Sequence, residues 1–166
     1  MNVAVYGFMG VGKTTIGALL AEKLGYEFID MDTNIERQEG ASISKIFKDH
    51  GESHFRKLES KLVMELSEKE RVVIACGGGT LAYQKNAEAL RRTATLVYLT
   101  ASIEDVIKRT RNNNSRPLLD VPDPYKAASD LLNKRKSIYE HYADITVDTS
   151  DKMPEIVVSE IMEALR

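Results

Sequence analysis

Cysteine is almost absent from this chain. Cys76 stands alone, so no internal disulfide can form and a reducing compartment is expected. An excess of basic residues is missing as well: the formal net charge is −2, which excludes the electrostatic footprint of a nucleic-acid binder. No apolar run approaches the length of a membrane span, and the N-terminus runs straight into the first strand, leaving no room for a signal peptide. The expectation is a cytoplasmic protein with neither nucleic acid nor membrane as partner. His50, His54 and His141 have no metal-ligand spacing and read as structural or surface residues. The 166 residues, 43% hydrophobic and 29% charged, describe one ordinary globular domain with room for a core. For this size, monomer is the expectation.

What is present is organised around Gly7-Phe8-Met9-Gly10-Val11-Gly12-Lys13-Thr14. This stretch follows the apolar run Val3-Ala4-Val5-Tyr6 and opens a segment of helical periodicity. That context gives the G-x-x-x-x-G-K-[ST] pattern its meaning as a phosphate-binding P-loop. Glycines allow backbone conformations closed to other residues and bring N–H groups close to phosphate oxygens. The helix starting near Lys13 adds the positive end of its dipole. Lys13 then reaches the β- and γ-phosphates, and the Thr14 hydroxyl is placed to ligate Mg²⁺. A glycine-rich strand-to-helix turn with no ligand is the plain alternative.

Beyond the P-loop, strand and helix alternate. Ile16, Leu19, Leu20 and Leu24 keep helical spacing, and Gly25 stands where a C-cap belongs. Strands are expected at 26–30, 72–75, 95–99 and 145–147. Helices are expected at 33–38, 42–49, 53–67, 85–92, 125–141, and from Ser102 as cap to about 111. Pro154 opens the last helix at its favoured first position. Alternation of this kind predicts an α/β fold, a five-stranded parallel sheet with helices on both faces. Residues 112–124 break the regularity, holding Arg116 and three of the four prolines. A long irregular segment in a compact domain suggests function, here a lid, against a plain surface connection.

The acid that usually serves Mg²⁺ is missing after the third strand, where Cys76 and glycines follow. Asp30 is the nearest replacement. Asp30 and Asp32 end the second strand at the edge where open α/β sheets bind ligands. Their i, i+2 spacing in an extended chain would point both carboxylates to one face. Asp32 alternatively caps the helix starting at 33. Gly77-Gly78-Gly79 end a buried strand at the same edge, costly unless a backbone or ligand approaches closely; a tight turn is the plainer reading. Arg56, by itself, reads as a solvated or ion-paired surface residue, and Arg135 near Tyr139 says little alone.

Taken as an ordered set, these residues carry a family resemblance over essentially the full length. The P-loop, Asp30-Met31-Asp32, Gly51-Glu52 with Phe55-Arg56, Gly77-Gly78-Gly79, Arg109-Thr110, Arg116-Pro117-Leu118-Leu119, and Arg135 with Tyr139, Ala143 and Asp144 resemble the shikimate kinases. These belong to the P-loop nucleoside-monophosphate-kinase-like group. The resemblance implies transfer of the γ-phosphoryl of ATP to the 3-hydroxyl of shikimate, on the way to aromatic amino acids. It implies catalytic roles for Lys13, Asp32 and Arg116, with Asp32 as base or orienting group and Arg116 as the lid arginine. ATP would meet Gly10, Val11, Gly12, Lys13, Thr14, Thr15, Arg109, Arg116 and Pro154, with Arg109 and Pro154 around adenine. Shikimate would meet Asp32, Arg56, Gly77, Gly78, Gly79 and Arg135, the two arginines gripping its carboxylate and Gly78 donating a backbone N–H beside it. Mg²⁺ would take Thr14 directly and Asp30 through water. Thr14 replaces a commoner serine and keeps the hydroxyl. Cys76 replaces a small polar residue and has no assigned role. The rivals are a gluconate-type kinase of the same fold, which would not need both arginines, and a P-loop regulatory ATPase with no small acceptor.

Overall fold

The computed structural model describes residues 1–8, 11–110 and 122–166. Gly10, Arg116 and the expected lid as far as residue 121 therefore lie outside the described residues. Five parallel strands run in the order β2-β3-β1-β4-β5: β1 (Asn2–Gly7), β2 (Glu27–Asp30), β3 (Val72–Ala75), β4 (Ala94–Thr100) and β5 (Ile145–Asp148). The helices between them are α1 (Lys13–Leu24), α2 (Met31–Glu39), α3 (Ile43–Ser67), α4 (Gln84–Arg91), α5 (Ile103–Thr110) and α6 (Pro124–Tyr142), with α7 (Pro154–Leu165) closing the chain. No helix among the described residues is long and apolar enough to cross a membrane.

The central strands bury both faces, so they read as continuous apolar runs. The period of two then divides them between two cores. Ala4, Tyr6, Ile74, Leu96 and Tyr98 pack with α2, α3, α4 and α6. Val3, Val5, Ala75, Val97 and Leu99 pack with α1, α5 and α7. At the upper edge of β1, Gly7 turns sharply at φ 148°, and a Cβ there would lie 2.3 Å from the Leu99 carbonyl oxygen. The crossovers bring every strand to the same edge at its C-terminal end.

Four local features differ from the sequence reading. Met31, wholly buried, starts α2 two residues early, so Asp30 is its N-cap, accepting from the Thr33 N–H at 3.0 Å. Asp32 sits in the first turn of that helix and does not cap it. The helices expected at 42–49 and 53–67 are continuous apart from Gly51, whose backbone (φ 86°, ψ 169°) breaks the line; Ser42 caps the whole by accepting from the Lys45 N–H. The end of the expected lid belongs to α6, since Asp123 caps it and Pro124 is its first residue. A short 3₁₀ turn, Thr80–Ala82, follows the three glycines and was not anticipated.

Candidate active site

One half of the site is made of backbone. Gly12 adopts a left-handed conformation (φ 94°, ψ 23°) directly before α1, a position where glycine pays no Cβ penalty. No side-chain hydrogen bond caps the helix at Gly12, and a helix N-terminus following such a loop is the kind of place that receives an anion. Lys13 folds back over the loop and donates from Nζ to the Gly7 and Phe8 carbonyls, each at 3.0 Å. Thr14 Oγ1 donates to Asp30 Oδ2 at 2.5 Å. The other Asp30 oxygen is held by the α2 cap, so this carboxylate is fixed in place. A hydroxyl and a carboxylate side by side are hard oxygen donors, which suits Mg²⁺, an ion that keeps several waters and takes few protein ligands.

Beside the loop, Val11, Gly12, Thr15, Arg109, Thr149 and Pro154 line a cleft of about 280 Å³. Arg109 spans it with both arms, donating to Thr149 Oγ1 at 3.2 Å and to the Thr149 carbonyl at 3.1 Å. The residues that the resemblance places around the nucleotide thus come together, Gly10 and Arg116 lying outside the described residues.

The other half is made of side chains gathered around Gly77-Gly78-Gly79, which leave β3 just after Cys76. A Cβ on Gly77 would lie 2.9 Å from Asp32 Oδ1 and 2.9 Å from Glu59 Oε2. A Cβ on Gly79 would lie 2.8 Å from Arg56 Nη2 and 3.0 Å from Arg135 Nη2. The two guanidinium groups, from α3 and α6, therefore converge on one glycine. Asp30 and Asp32 part company here: with Asp32 on a helix, the extended-chain geometry does not apply. Asp30 turns to Thr14 and Asp32 to the glycine turn.

Both arginines are held before any ligand arrives. Arg135, only 8% exposed, donates from Nη1 to the Gly78 carbonyl at 3.1 Å. Tyr139 donates to the same carbonyl. Arg56 donates from Nη1 to Glu59 Oε1 at 3.0 Å and lies over the rings of Phe55 and Tyr83. Burial lowers the Arg56 pKa, but the Glu59 carboxylate, helped by Tyr83 and Glu52, more than reverses this, so the guanidinium is firmly charged. Its Nε is buried without a hydrogen bond among the described residues, a donor that stays costly until something accepts from it.

Glu59 is the residue that sequence reasoning passed over. It is 1% exposed and ties the clamp to the turn, since Oε2 accepts from Thr80 Oγ1 at 2.8 Å. Burial pushes its carboxyl above the ordinary range, against the pull of Arg56 and Thr80. Its i, i+3 spacing from Arg56 on one helix was the available signal. Cys76 is fully buried, and burial raises its thiol pKa, so it is a packing residue and no nucleophile.

A P-loop and two converging arginines at the C-terminal edge of one parallel sheet fit the class of P-loop phosphotransferases. The shikimate kinase family model matches residues 9–166. A shikimate kinase of Hahella chejuensis is 43% identical over 165 residues, covering 99% of this chain and 86% of that relative. The structure of the Acinetobacter baumannii shikimate kinase in complex with shikimate superposes with a TM-score of 0.96 at 38% identity, over 99% of this chain and 92% of that one. A gluconokinase from Sinorhizobium meliloti shares the fold alone, with a TM-score of 0.68 at 20% identity over 99% of this chain and 90% of that one. The chain belongs to the shikimate kinase family.

Proposed function

We propose that this protein transfers the γ-phosphoryl group of ATP to the 3-hydroxyl of shikimate, with Mg²⁺, acting as a single-domain monomer in the cytoplasm. The observation that carries the reading is the convergence of Arg56 and Arg135 at Gly79, with Asp32 one glycine away and the P-loop alongside. Two arginines from distant helices suit a planar carboxylate, which guanidinium groups bind through paired hydrogen bonds.

Phosphoryl transfer asks the protein for positioning and charge neutralisation more than for covalent chemistry. The loop amides and Lys13 receive the phosphates, Lys13 exchanging its loop carbonyls for them. Thr14 and Asp30 would hold Mg²⁺, which when bound would neutralise phosphate charge. Arg56, Arg135 and the turn backbone near Gly78 hold the acceptor by its carboxylate. Asp32 then meets a ring hydroxyl and orients it, accepting its proton as the new P–O bond forms and the bond from the γ-phosphorus to the β–γ bridging oxygen breaks, ADP leaving with that oxygen. Arg109 and Pro154 flank the adenine, and Arg116 supplies charge at the phosphates.

The test is ADP release measured with shikimate, its methyl ester and gluconate. Shikimate should be turned over well, and the ester and gluconate poorly. A charge-assisted hydrogen bond is worth roughly 1.5–3 kcal/mol, so either Arg56→Lys or Arg135→Lys should weaken shikimate binding about tenfold to a hundredfold. The KM for ATP should stay unchanged. A double Arg56→Ala, Arg135→Ala variant that still prefers the free acid as strongly as the wild type would place the carboxylate elsewhere.

A further inference from the structure

Tyr139 belongs to none of the roles above, yet its hydroxyl is spent on the acceptor turn. It lies on α6 one helical turn after Arg135 and is 1% exposed. Its phenol oxygen donates to the Gly78 carbonyl and hydrogen-bonds the Arg135 side chain. Arg135 donates to that same carbonyl. Tyrosine, arginine and peptide thus close a triangle, and the 78–79 peptide at its apex is the one that leads into Gly79, where Arg56 and Arg135 meet.

The ring has no room to swing out of this arrangement. Tyr6 stands edge-on to it at 5.7 Å between centroids, and Tyr98 is tilted against it at 5.5 Å. Tyr6, the residue before the P-loop's first glycine, donates its own hydroxyl to the Tyr139 backbone carbonyl at 2.5 Å. Farther along, the Asp144 side chain accepts from the Leu96 N–H at 2.8 Å and pins the end of α6 to β4. Packing alone would be served equally by phenylalanine. The hydroxyl adds one thing, a fixed orientation for the Gly78 carbonyl and for the arginine beside it. A peptide whose carbonyl is held has its N–H, here that of Gly79, fixed in the opposite direction.

We propose that Tyr139 is a positioning residue for the acceptor's carboxylate: its hydroxyl locks the glycine turn and the Arg135 guanidinium into one receiving geometry. This rests on the reading of the Arg56–Arg135 pair as the carboxylate site. It concerns orientation, so it bears on the free acid and leaves the neutral ester and the nucleotide alone.

The experiment compares kcat/KM for shikimate and its methyl ester in wild type, Tyr139→Phe, Tyr6→Phe and Arg56→Ala. Tyr139→Phe keeps the ring and loses the hydroxyl. It should lower the acid-over-ester preference about fivefold to tenfold, the worth of one well-placed hydrogen bond, with the KM for ATP within about twofold of wild type. Tyr6→Phe removes a buried hydroxyl from the same cluster without touching Gly78. It should lower the melting temperature and leave the preference intact. If Arg56→Ala loses the preference while Tyr139→Phe keeps it, the role of Tyr139 is refuted and the carboxylate site stands. If Arg56→Ala keeps it too, the carboxylate site itself is refuted. An equal loss in Tyr6→Phe and Tyr139→Phe would mean general loosening and overturn the assignment. Should Tyr139→Phe not fold, 3-fluorotyrosine incorporated at position 139 gives a second reading. Its ¹⁹F resonance should move on adding shikimate and stay put on adding the ester; no movement with shikimate overturns the proposal.

Discussion

Gly7 and Gly79 both stand where a methyl group would collide, but with different things. At Gly7 the obstacle is backbone, the Leu99 carbonyl of the neighbouring strand, and φ is 148°. At Gly79 the obstacles are the far ends of two arginine side chains. The proposed nucleotide half of the site thus leans on main chain braced by the sheet at Gly7. The acceptor half is a property of side chains brought from α2, α3 and α6 to one turn. The first kind of site binds what many proteins bind, phosphate. The second, as proposed, would select one acceptor.

Lys13→Ala probes the shared half most severely. Lys13 donates to the Gly7 and Phe8 carbonyls of the loop, and its loss should spare the fold while removing charge from the β- and γ-phosphates. Charge-stabilising groups in phosphoryl transfer are worth about 10³–10⁵ in rate, and a fall in kcat of at least about 10³ is expected. Thermal melting should barely move. Near-normal turnover in the folded variant would take the P-loop out of the mechanism, and with it the distinction between the two halves.

The two glycines test the distinction directly. Gly7→Ala combines a strained φ with a backbone clash that neither β1 nor β4 can relieve, so it should cost several kcal/mol and lower the soluble yield. Gly79→Ala meets only guanidinium tips, which can retreat. Its melting temperature should stay within a few degrees of wild type, while the KM for shikimate rises about tenfold as Arg56 and Arg135 are pushed off their common point. The KM for ATP should hold. If Gly79→Ala proves as unstable as Gly7→Ala, the turn is structural and its side-chain character is misjudged.

The same division explains what could be read from the chain before folding. The P-loop is contiguous, and its phosphate chemistry follows from eight adjacent residues. The alternation of β-branched runs with helical spacing led to the five-stranded parallel sheet with covered faces. The cap on α2 could not be read, because it depends on Met31 being wholly buried, which draws the helix start back past Asp32. The Gly51 break was placed as a gap between helices, since sequence shows a breaker and not the continuity around it. Arg56 and Arg135 looked ordinary one at a time, because their meaning lies in meeting at Gly79. Family resemblance supplied that pairing, and geometry now gives it a physical basis. Glu59 and the Tyr139 hydroxyl carried no signal strong enough to separate them from a solvated helix face and an apolar stripe, and only burial distinguishes them.

Glu59→Gln should have the smallest effect and is the most discriminating about charge. Glutamine keeps one acceptor for Arg56 or Thr80 and removes a negative charge beside the acceptor site. Two consequences oppose each other. Arg56 is less firmly aimed, which weakens binding, while the anionic acceptor meets one less repulsive charge, which strengthens it. The net change in the KM for shikimate should be only about twofold to fivefold, with aim outweighing repulsion because the ion pair is buried. Stability gives the sharper reading. Burial raises the Glu59 carboxyl above its ordinary value of 4.5, so the native state holds this proton more tightly than the unfolded chain does. The contribution of Glu59 to stability is therefore fully present below pH 4.5 and is lost as the pH rises through the higher native value. Glutamine has no such dependence. Melting temperatures of the two proteins, followed upward from pH 4.5, should show the variant gaining on the wild type. A wild type that gains instead would mean that Arg56 and Thr80 stabilise the carboxylate by more than its burial costs, and that the clamp is already electrostatically satisfied before any acceptor arrives.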